Sequence, residues 1–369
     1  MKPMTTLPHS PGLWALAWRR LRADRVAMVA LAVVAGFLML LVLSRAGLIV
    51  ADWEDEVGVN YAPPSFVGAD PLMVAAAATP SAAALPENAF DPLADDLRVL
   101  RADLGRGEPA AVDMYGVTDP LAADIKALRA RMGKAQAHAQ LAKRATLPFG
   151  ADKWGHDVIK KTVKGAETSI VVGLVAAFVA VALGTLFGAV AGFYGGVVDD
   201  IFTWFYSIFT SIPSILMILT VAAVLQQKGV TTIVLILGLT GWTGPYRLIR
   251  AEYMKHKHRE YVMSADAIGA SSLRKMFAHI FPNVSHVALV QMSILVVGFI
   301  KAEVILSFLG FGVPVGVVSW GSMLNEAQNE LILGKWWQLT AAAAAMAVLV
   351  TAFSLFTDAL RDALDPKLK

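Results

Sequence analysis

The sequence predicts an all-α protein with six membrane-spanning helices. Hydrophobic residues make up 56% of the 369 residues and charged residues only 17%, whereas soluble domains carry about 25% charged residues. The mean hydropathy is +0.58, and the apolar residues cluster in stretches of roughly 20, the length of helix that crosses a bilayer. Six stretches meet this criterion: residues 26–50, 169–193, 201–225, 231–249, 285–308 and 338–356.

The same composition excludes several classes of protein. A chain this apolar is neither a single soluble domain nor a disordered chain. The net charge of +3 is too small to indicate binding to nucleic acid. Because the sequence contains no cysteine, disulfides, thiolate metal sites and cysteine nucleophiles are excluded.

The first span follows an arginine-rich tail, residues 1–25. We interpret this span as a permanent anchor, because its apolar run is longer than the roughly 7–15 residues of a cleaved signal peptide. This tail, the segment between spans four and five, and the C-terminal tail (358–369) are rich in Lys and Arg, which predicts that they lie on the cytoplasmic side. Both termini are therefore predicted to be cytoplasmic.

Residues 51–168 form a long extracytoplasmic loop in this topology. The loop is rich in Ala, Pro and Asp, which predicts irregular structure with two short helices, near 91–104 and 120–141. No catalytic pattern stands out within it. The other five spans and their connections, residues 169–357, form the predicted core.

A stripe of small residues runs along the second span. Gly184, Gly188 and Gly192 recur at four-residue spacing, which allows another helix to approach closely inside a membrane. The motif does not specify whether that helix belongs to the same chain or to a partner subunit.

The cytoplasmic segment 250–283, between spans four and five, carries the clearest functional pattern. It predicts two helical stretches, 260–268 and 271–280, joined at Gly269-Ala270, with Pro282 ending the second. Such an exposed helix–glycine–helix unit is suited to dock into a groove on a partner. The alternative is an amphipathic hairpin that lies on the membrane surface.

This segment resembles the cytoplasmic coupling loop of bacterial ABC-importer permeases, whose pattern is Glu-Ala-Ala, three residues, Gly, nine residues, Ile-x-Leu-Pro. Gly269 and Pro282 stand at the spacing of that pattern, and Ala265 is its second alanine. The sequence departs from the pattern at four positions, Met263, Ser264, His279 and Phe281. The resemblance implies that an ATPase-coupling site comprises Ala265, Gly269, Ala270, Ser271 and Pro282.

Further runs are similar to the C-type permease of oligopeptide and dipeptide importers, with an enlarged outer loop. They are residues 149–157 (FGADKWGHD), 307–312 (SFLGFG), 319–321 (SWG) and 360–366 (LRDALDP). The resemblance implies a type I-like permease in the bacterial inner membrane, forming half of a translocation pathway. It also implies a second permease, two ABC ATPase subunits and an extracytoplasmic solute-binding protein. Peptides are the leading substrate, with nickel and opine-like solutes as alternatives.

The sequence predicts a transport subunit rather than an enzyme. It contains no Gly-x4-Gly-Lys-Ser/Thr phosphate loop, so we expect partner subunits to bind ATP, and we expect no cofactor or metal on this chain. His256 and His258 are flanked by Lys and Arg rather than by further metal ligands, which favours a basic surface stretch.

Glu303 is a candidate pathway residue, because ionisable groups at membrane depth often mark a transport route. It lies late in the fifth span, beside Lys301, so both side chains are also able to reach the outer interface.

Two rival functions remain open. The first is an ion-gradient-driven transporter, which would contain inverted repeats and buried carboxylates. The spans contain few acidic residues, which disfavours this function. A membrane-anchored scaffold would act through its outer loop.

Overall fold

The computed structural model describes residues 13–68, 143–314 and 316–364. The chain divides into two compact units, one of Met1–Asp55 with His156–Lys369 and the other of Glu56–Gly155. The helices described in the larger unit are α1 (Leu13–Ala23), α2 (Arg25–Arg45), α3 (Val158–Tyr194), α4 (Gly196–Ser211), α5 (Ser214–Leu225), α6 (Val230–Thr240), α7 (Thr243–His256), α8 (Glu260–Ala267), α9 (Ser272–Phe308), α10 (Trp320–Ile332) and α11 (Trp337–Leu364).

Within the described ranges, four helices are long and apolar enough to cross a membrane: α2, α3, α9 and α11. A fifth crossing is possible if α4 and α5, which are bent by 86° relative to each other, form one broken span. The bend falls at Pro213, which disfavours helical backbone in the preceding residue, and Ile212 is accordingly extended. The predicted third span is therefore interrupted.

The predicted fourth span, 231–249, also differs from one continuous helix. It is divided between α6 and α7, of 11 and 14 residues, each shorter than the roughly 20 residues that cross a bilayer. Gly241 lies at the break, and a Cβ atom at this position would overlap the ring of Phe299. The described residues thus contain one or two fewer spanning elements than the six stretches in the sequence.

Helix α3 lies at the centre of the larger unit. It packs against α2, α6, α7, α9, α10 and α11. Its buried face consists largely of alanine and glycine, and Ala176, Ala177 and Ala180 are fully buried. Small side chains on this face let several helices approach one backbone closely, which is how helices associate where apolar burial alone gains little.

Pro282 does not end its helix, so that expectation is wrong. Helix α9 runs from Ser272 to Phe308, and its residues Lys275–Ile280 form a π-helical turn. Proline has no N–H to donate to the carbonyl four residues earlier, and its ring clashes there. The wider π-helical turn immediately before Pro282 accommodates this interruption, and the helix continues.

The smaller unit is described at residues 56–68 and 143–155. These segments are joined by two isolated parallel bridges, Gly58↔Arg144 and Pro64↔Leu147. Gly155 has a φ of +92°, and a Cβ atom there would overlap the carbonyl oxygen of Gly58, so this close approach requires glycine. The two short helices predicted near 91–104 and 120–141 lie outside the described residues.

Candidate functional site

The turn between α8 and α9 is a helix C-cap of the Schellman type. The N–H of Ala270 donates to the carbonyl of Ala265 at 3.0 Å, and the N–H of Gly269 donates to that of Asp266 at 2.9 Å. Gly269 has a φ of +81°, a left-handed conformation in which glycine is favoured. Ser271 then caps α9, its side chain accepting a hydrogen bond from the N–H of Arg274 at 3.4 Å.

The tip of this loop is apolar and exposed. Ile268 is 84% exposed, Leu273 is 64% exposed and Met263 is 55% exposed. Gly269 and Ser271 are exposed beside them, whereas Ala265 is buried and packs inward. The structure therefore brings Gly269, Ala270 and Ser271 together at a surface that a partner can reach, and it places Ala265 beneath that surface.

Three side-chain contacts brace the loop to its flanking helices. The hydroxyl of Tyr253, a fully buried residue of α7, donates to the carbonyl of Met276 in the π-helical turn at 3.1 Å. Asp266 of α8 and Lys275 of α9 form an ion pair. His256 Nδ1 lies 2.8 Å from the Tyr261 hydroxyl. The exposed tip is thus mechanically tied to α7 and α9.

Burial lowers the pKa of His256 below its usual value of 6.5. Glu252, whose Oε2 lies 3.5 Å from His256 Nε2, favours the charged imidazole but does not outweigh this effect. The nearby cations Lys255 and Arg259 lower the pKa further. The neutral ring that bonds Tyr261 is consequently the favoured form near neutral pH.

The glycine stripe of α3 lies against the backbone of α7. A Cβ atom on Gly184 would lie 2.6 Å from the carbonyl oxygen of Trp242, and one on Gly188 would lie 2.7 Å from that of Tyr246. A Cβ atom on Gly192 would lie 2.6 Å from the carbonyl oxygen of Arg250. The stripe therefore contacts a helix of its own chain, the one that leads into the coupling loop.

Aromatic residues join α4 to this contact. The Trp242 ring stacks on Phe205 of α4, with centroids 5.4 Å apart and an interplanar angle of 14°. Tyr206 of α4 lies 5.4 Å from Tyr246 of α7. The sequence alone does not predict this cluster, because its members lie in two separate segments of the chain, α4 and the start of α7.

Glu303 is completely buried in a network of serines. Its Oε2 accepts a hydrogen bond from Ser169 of α3 at 2.6 Å, and its Oε1 accepts one from Ser307 of α9 at 2.7 Å. Ser169 Oγ also accepts the backbone N–H of Trp320, the first residue of α10, at 3.2 Å. A solute cannot touch Glu303 in this conformation. The carboxylate instead joins α3 to α9, and Ser169 extends the network to α10. The neighbouring Lys301 is exposed.

Comparison with known proteins identifies the type of chain. The family of "binding-protein-dependent transport system inner membrane component" proteins matches residues 184–369. The chain belongs to this family of permeases. A second family, the N-terminal transmembrane domain of oligopeptide transport permease C, matches residues 12–64 of this chain.

Two relatives come from Bacillus subtilis. Its dipeptide transport system permease protein DppC is 36% identical to this permease, and the aligned region covers 60% of this permease and 69% of DppC. Its oligopeptide transport system permease protein OppC is 37% identical to this permease, and the aligned region covers 60% of this permease and 72% of OppC. A chain of the MetNI methionine ABC transporter superposes with a TM-score of 0.44 at 14% identity, covering 56% of this permease and 96% of that chain.

The family matches and the two Bacillus relatives confirm the resemblance and the helical membrane-permease class predicted from the sequence. The match to residues 184–369 includes the glycine stripe, the coupling loop and Glu303. The FGADKWGHD run, 149–157, lies outside both family matches. Where the structure describes this run, Asp157 caps α3 by accepting the N–H of Ile159 at 2.8 Å. The individual site residues remain predictions.

The part of the permease that the structure describes contains no group of three or more His, Asp or Glu side chains arranged to hold a metal ion.

Proposed function

We propose that this permease forms half of the translocation pathway of an ATP-driven importer for peptides. The family is defined by binding-protein-dependent transport, and the two Bacillus relatives are named for dipeptide and oligopeptide transport. The other half of the pathway would be a second permease. An extracytoplasmic binding protein would deliver the solute, and two ATPase subunits would bind and hydrolyse ATP, so that this chain itself needs no cofactor.

The observation that carries this proposal is the exposed apolar tip of the loop between α8 and α9, which includes Ile268, Gly269 and Leu273. Exposed apolar side chains on a turn favour burial in a partner. The tip is braced to α7 through Tyr253 and to α9 through the Asp266–Lys275 pair. A partner that moves the tip would therefore move two helices of the core together.

The coupling contact would comprise Gly269, Ala270 and Ser271 at the tip. Ala265 and Pro282 would act indirectly. Ala265 would pack α8 against the core, and Pro282 lies within α9, just after its π-helical turn. In this topology both termini and the coupling loop lie in the cytoplasm, consistent with the Lys- and Arg-rich segments that adjoin the spans.

A crosslinking experiment tests the coupling contact directly, because the chain contains no native cysteine. Ser271→Cys should form an adduct with an ATP-binding subunit when native membranes are treated with a short thiol-reactive crosslinker. Ala23→Cys, an exposed position on the same predicted side of the membrane, provides the matched control and should be labelled without forming that adduct. A labelled Ser271→Cys protein that yields no adduct would overturn the proposed docking site.

A further inference from the structure

A groove of about 630 Å³ lies between α2 and α11. Its floor is formed by small buried residues, Ala30 and Ala352. Its walls are exposed apolar side chains, among them Val29, Val348 and Leu355. The groove exists because alanines on two adjoining helices leave a channel between rows of larger residues.

The dimensions of the groove fit one leaflet of a bilayer. Both helices are long and apolar enough to cross a membrane, so the groove runs along the membrane-spanning part of the chain. On α2 it extends from Arg25 to Val33, about 12 Å at a rise of 1.5 Å per residue. Half of a hydrocarbon core is roughly 15 Å thick.

A single charged residue, Arg25, lines the groove, at one of its ends. Its guanidinium makes no ion pair with any residue that the structure describes. The neighbouring Asp24 carboxylate instead accepts the backbone N–H groups of Val26 and Ala27, at 2.8 and 3.2 Å, as the N-cap of α2. Arg25 is exposed, so its charge is available to a ligand.

Helix α1 indicates the level of the membrane surface beside Arg25. Ala17 and Leu21 of α1 are buried against Ala363 and Leu364, at the end of α11. Trp18 is 43% exposed, and the guanidinium of Arg22 lies 4.8 Å from the centre of its ring. An exposed tryptophan among arginines is typical of the headgroup region of a bilayer.

We propose that this groove binds an anionic phospholipid, with one acyl chain between α2 and α11 and the phosphate at Arg25. The guanidinium fork matches phosphate geometry and forms charge-assisted hydrogen bonds with it. The valine and leucine walls match the acyl chain. An anionic headgroup supplies a counter-charge for Arg25 at the level of the membrane surface.

The test measures which lipid reaches the groove. Val29→Cys on the otherwise cysteine-free chain is labelled with a fluorophore, and the assembled importer is placed in phosphatidylcholine nanodiscs. Nitroxide-labelled phosphatidylglycerol or nitroxide-labelled phosphatidylcholine is then added as a quencher. We expect phosphatidylglycerol to quench the Val29 label at about fivefold lower mole fraction, the effect of one basic residue at a charged membrane surface.

Two controls separate a specific site from general attraction. Val42→Cys, which is 62% exposed on the same helix but outside the groove, should show no preference between the lipids. Arg25→Gln should abolish the preference at Val29, and Arg19→Gln, which removes an arginine outside the groove, should retain it.

A filling variant tests the groove independently of Arg25. Val348→Trp should reduce quenching of the Val29 label by both lipids, because the indole occupies the space of the acyl chain. The proposal would be overturned by equal quenching with the two lipids, or by a preference that survives Arg25→Gln. It would also be overturned if neither lipid reached Val29 in the assembled importer, since a protein would then cover the groove.

Discussion

Arg250 of α7 donates two hydrogen bonds to Asp199 of α4, one from Nε to Oδ1 and one from Nη2 to Oδ2, each 2.5 Å long. The Asp199 side chain is 15% exposed and that of Arg250 is 29% exposed. The carbonyl of the same arginine lies against Gly192 of α3. Three helices therefore meet at Arg250, within the helix that continues into the coupling loop.

This junction offers a physical route between the coupling loop and α4. None of the residues of α4 is buried. The helix is held to this chain by the Asp199 pair, by aromatic contacts with Trp242 and Tyr246, and by the contact of Phe202 with Phe187 of α3. A displacement of α7 would move α4 through these contacts. Coupling of this kind requires an element that both sites are able to bias, and α4 with α7 is the candidate.

Asp199→Asn should weaken coupling between ATP hydrolysis and uptake. The substitution removes the negative partner of a partly buried guanidinium, which we expect to cost about 1–3 kcal/mol in free energy of unfolding. The ratio of peptide transported to ATP hydrolysed should fall in reconstituted importer. Asp200→Asn, at an exposed neighbouring position, provides the control, and equal behaviour of the two variants would contradict a specific role for the pair.

Gly188→Ala should destabilise the protein, because its Cβ would lie 2.7 Å from the Tyr246 carbonyl oxygen and 3.0 Å from the backbone nitrogen of Arg250. Forcing α3 and α7 apart typically costs about 1–3 kcal/mol. Gly298→Ala is the matched control, since no atom in the described part of the chain lies within 4 Å of a Cβ atom at that helical position. Thermal unfolding in detergent should show a lower midpoint for Gly188→Ala only, and similar midpoints for the two variants would argue against close packing at the stripe.

Gly269→Arg should uncouple ATP hydrolysis from uptake. Among the residues that the structure describes, none lies within 4 Å of a Cβ atom at Gly269, so the added bulk would meet the docked partner. The left-handed backbone adds about 1–2 kcal/mol of strain. Gly269→Asn tolerates that backbone conformation better and should retain more uptake. Normal peptide uptake by the arginine variant, measured with continuing ATPase activity, would exclude the tip from the coupling contact.

Glu303→Ala should lower stability without changing the KM for the transported solute. The substitution leaves Ser169 and Ser307 buried without their acceptor, at a cost of about 1–3 kcal/mol for each unsatisfied group. Lys301→Gln, at the exposed neighbouring position, should change neither quantity. A raised KM with unaltered thermal stability would instead support direct contact of Glu303 with the solute.

Acidification should destabilise the coupling loop through His256. Because burial lowers the pKa of His256 in the folded protein, the unfolded chain binds more protons as the pH falls through the unfolded value of about 6.5. The stabilisation contributed by the neutral ring is therefore present above that pH and is lost below it. Unfolding midpoints of the wild type and His256→Gln should converge at acidic pH, and His258→Gln should follow the wild type throughout.

The apolar stretches in the sequence predict α2, α3, α9 and α11 well, because an uncharged run of about 20 residues has few alternatives to a spanning helix. Hydropathy carries no information on bending, so the breaks before Pro213 and at Gly241 were not predicted. Pro213 is nonetheless a visible signal, since proline disfavours helical backbone in the residue before it. The opposite error occurs at Pro282. The proline predicts a helix end, whereas a π-helical turn accommodates it and the helix continues.

Sequence spacing predicted that Gly184, Gly188 and Gly192 form a close helix contact, and only the three-dimensional structure identifies α7 as the other helix. The Arg250–Asp199 pair was not predictable in the same way. Its members are 51 residues apart, and nothing in the sequence pairs one surface charge with another at that separation. The glycine turn at 269 was predictable, because the residue and its conformational role are local.

The central claim is that the chain transports peptides only as part of an ATP-driven assembly. The most direct measurement is uptake of a radiolabelled dipeptide into vesicles that contain both permeases and both ATPase subunits, with the binding protein added outside. We predict uptake that requires ATP and ceases when either the ATPase subunits or the binding protein is omitted. Uptake by this chain alone, driven by an ion gradient, would contradict the account.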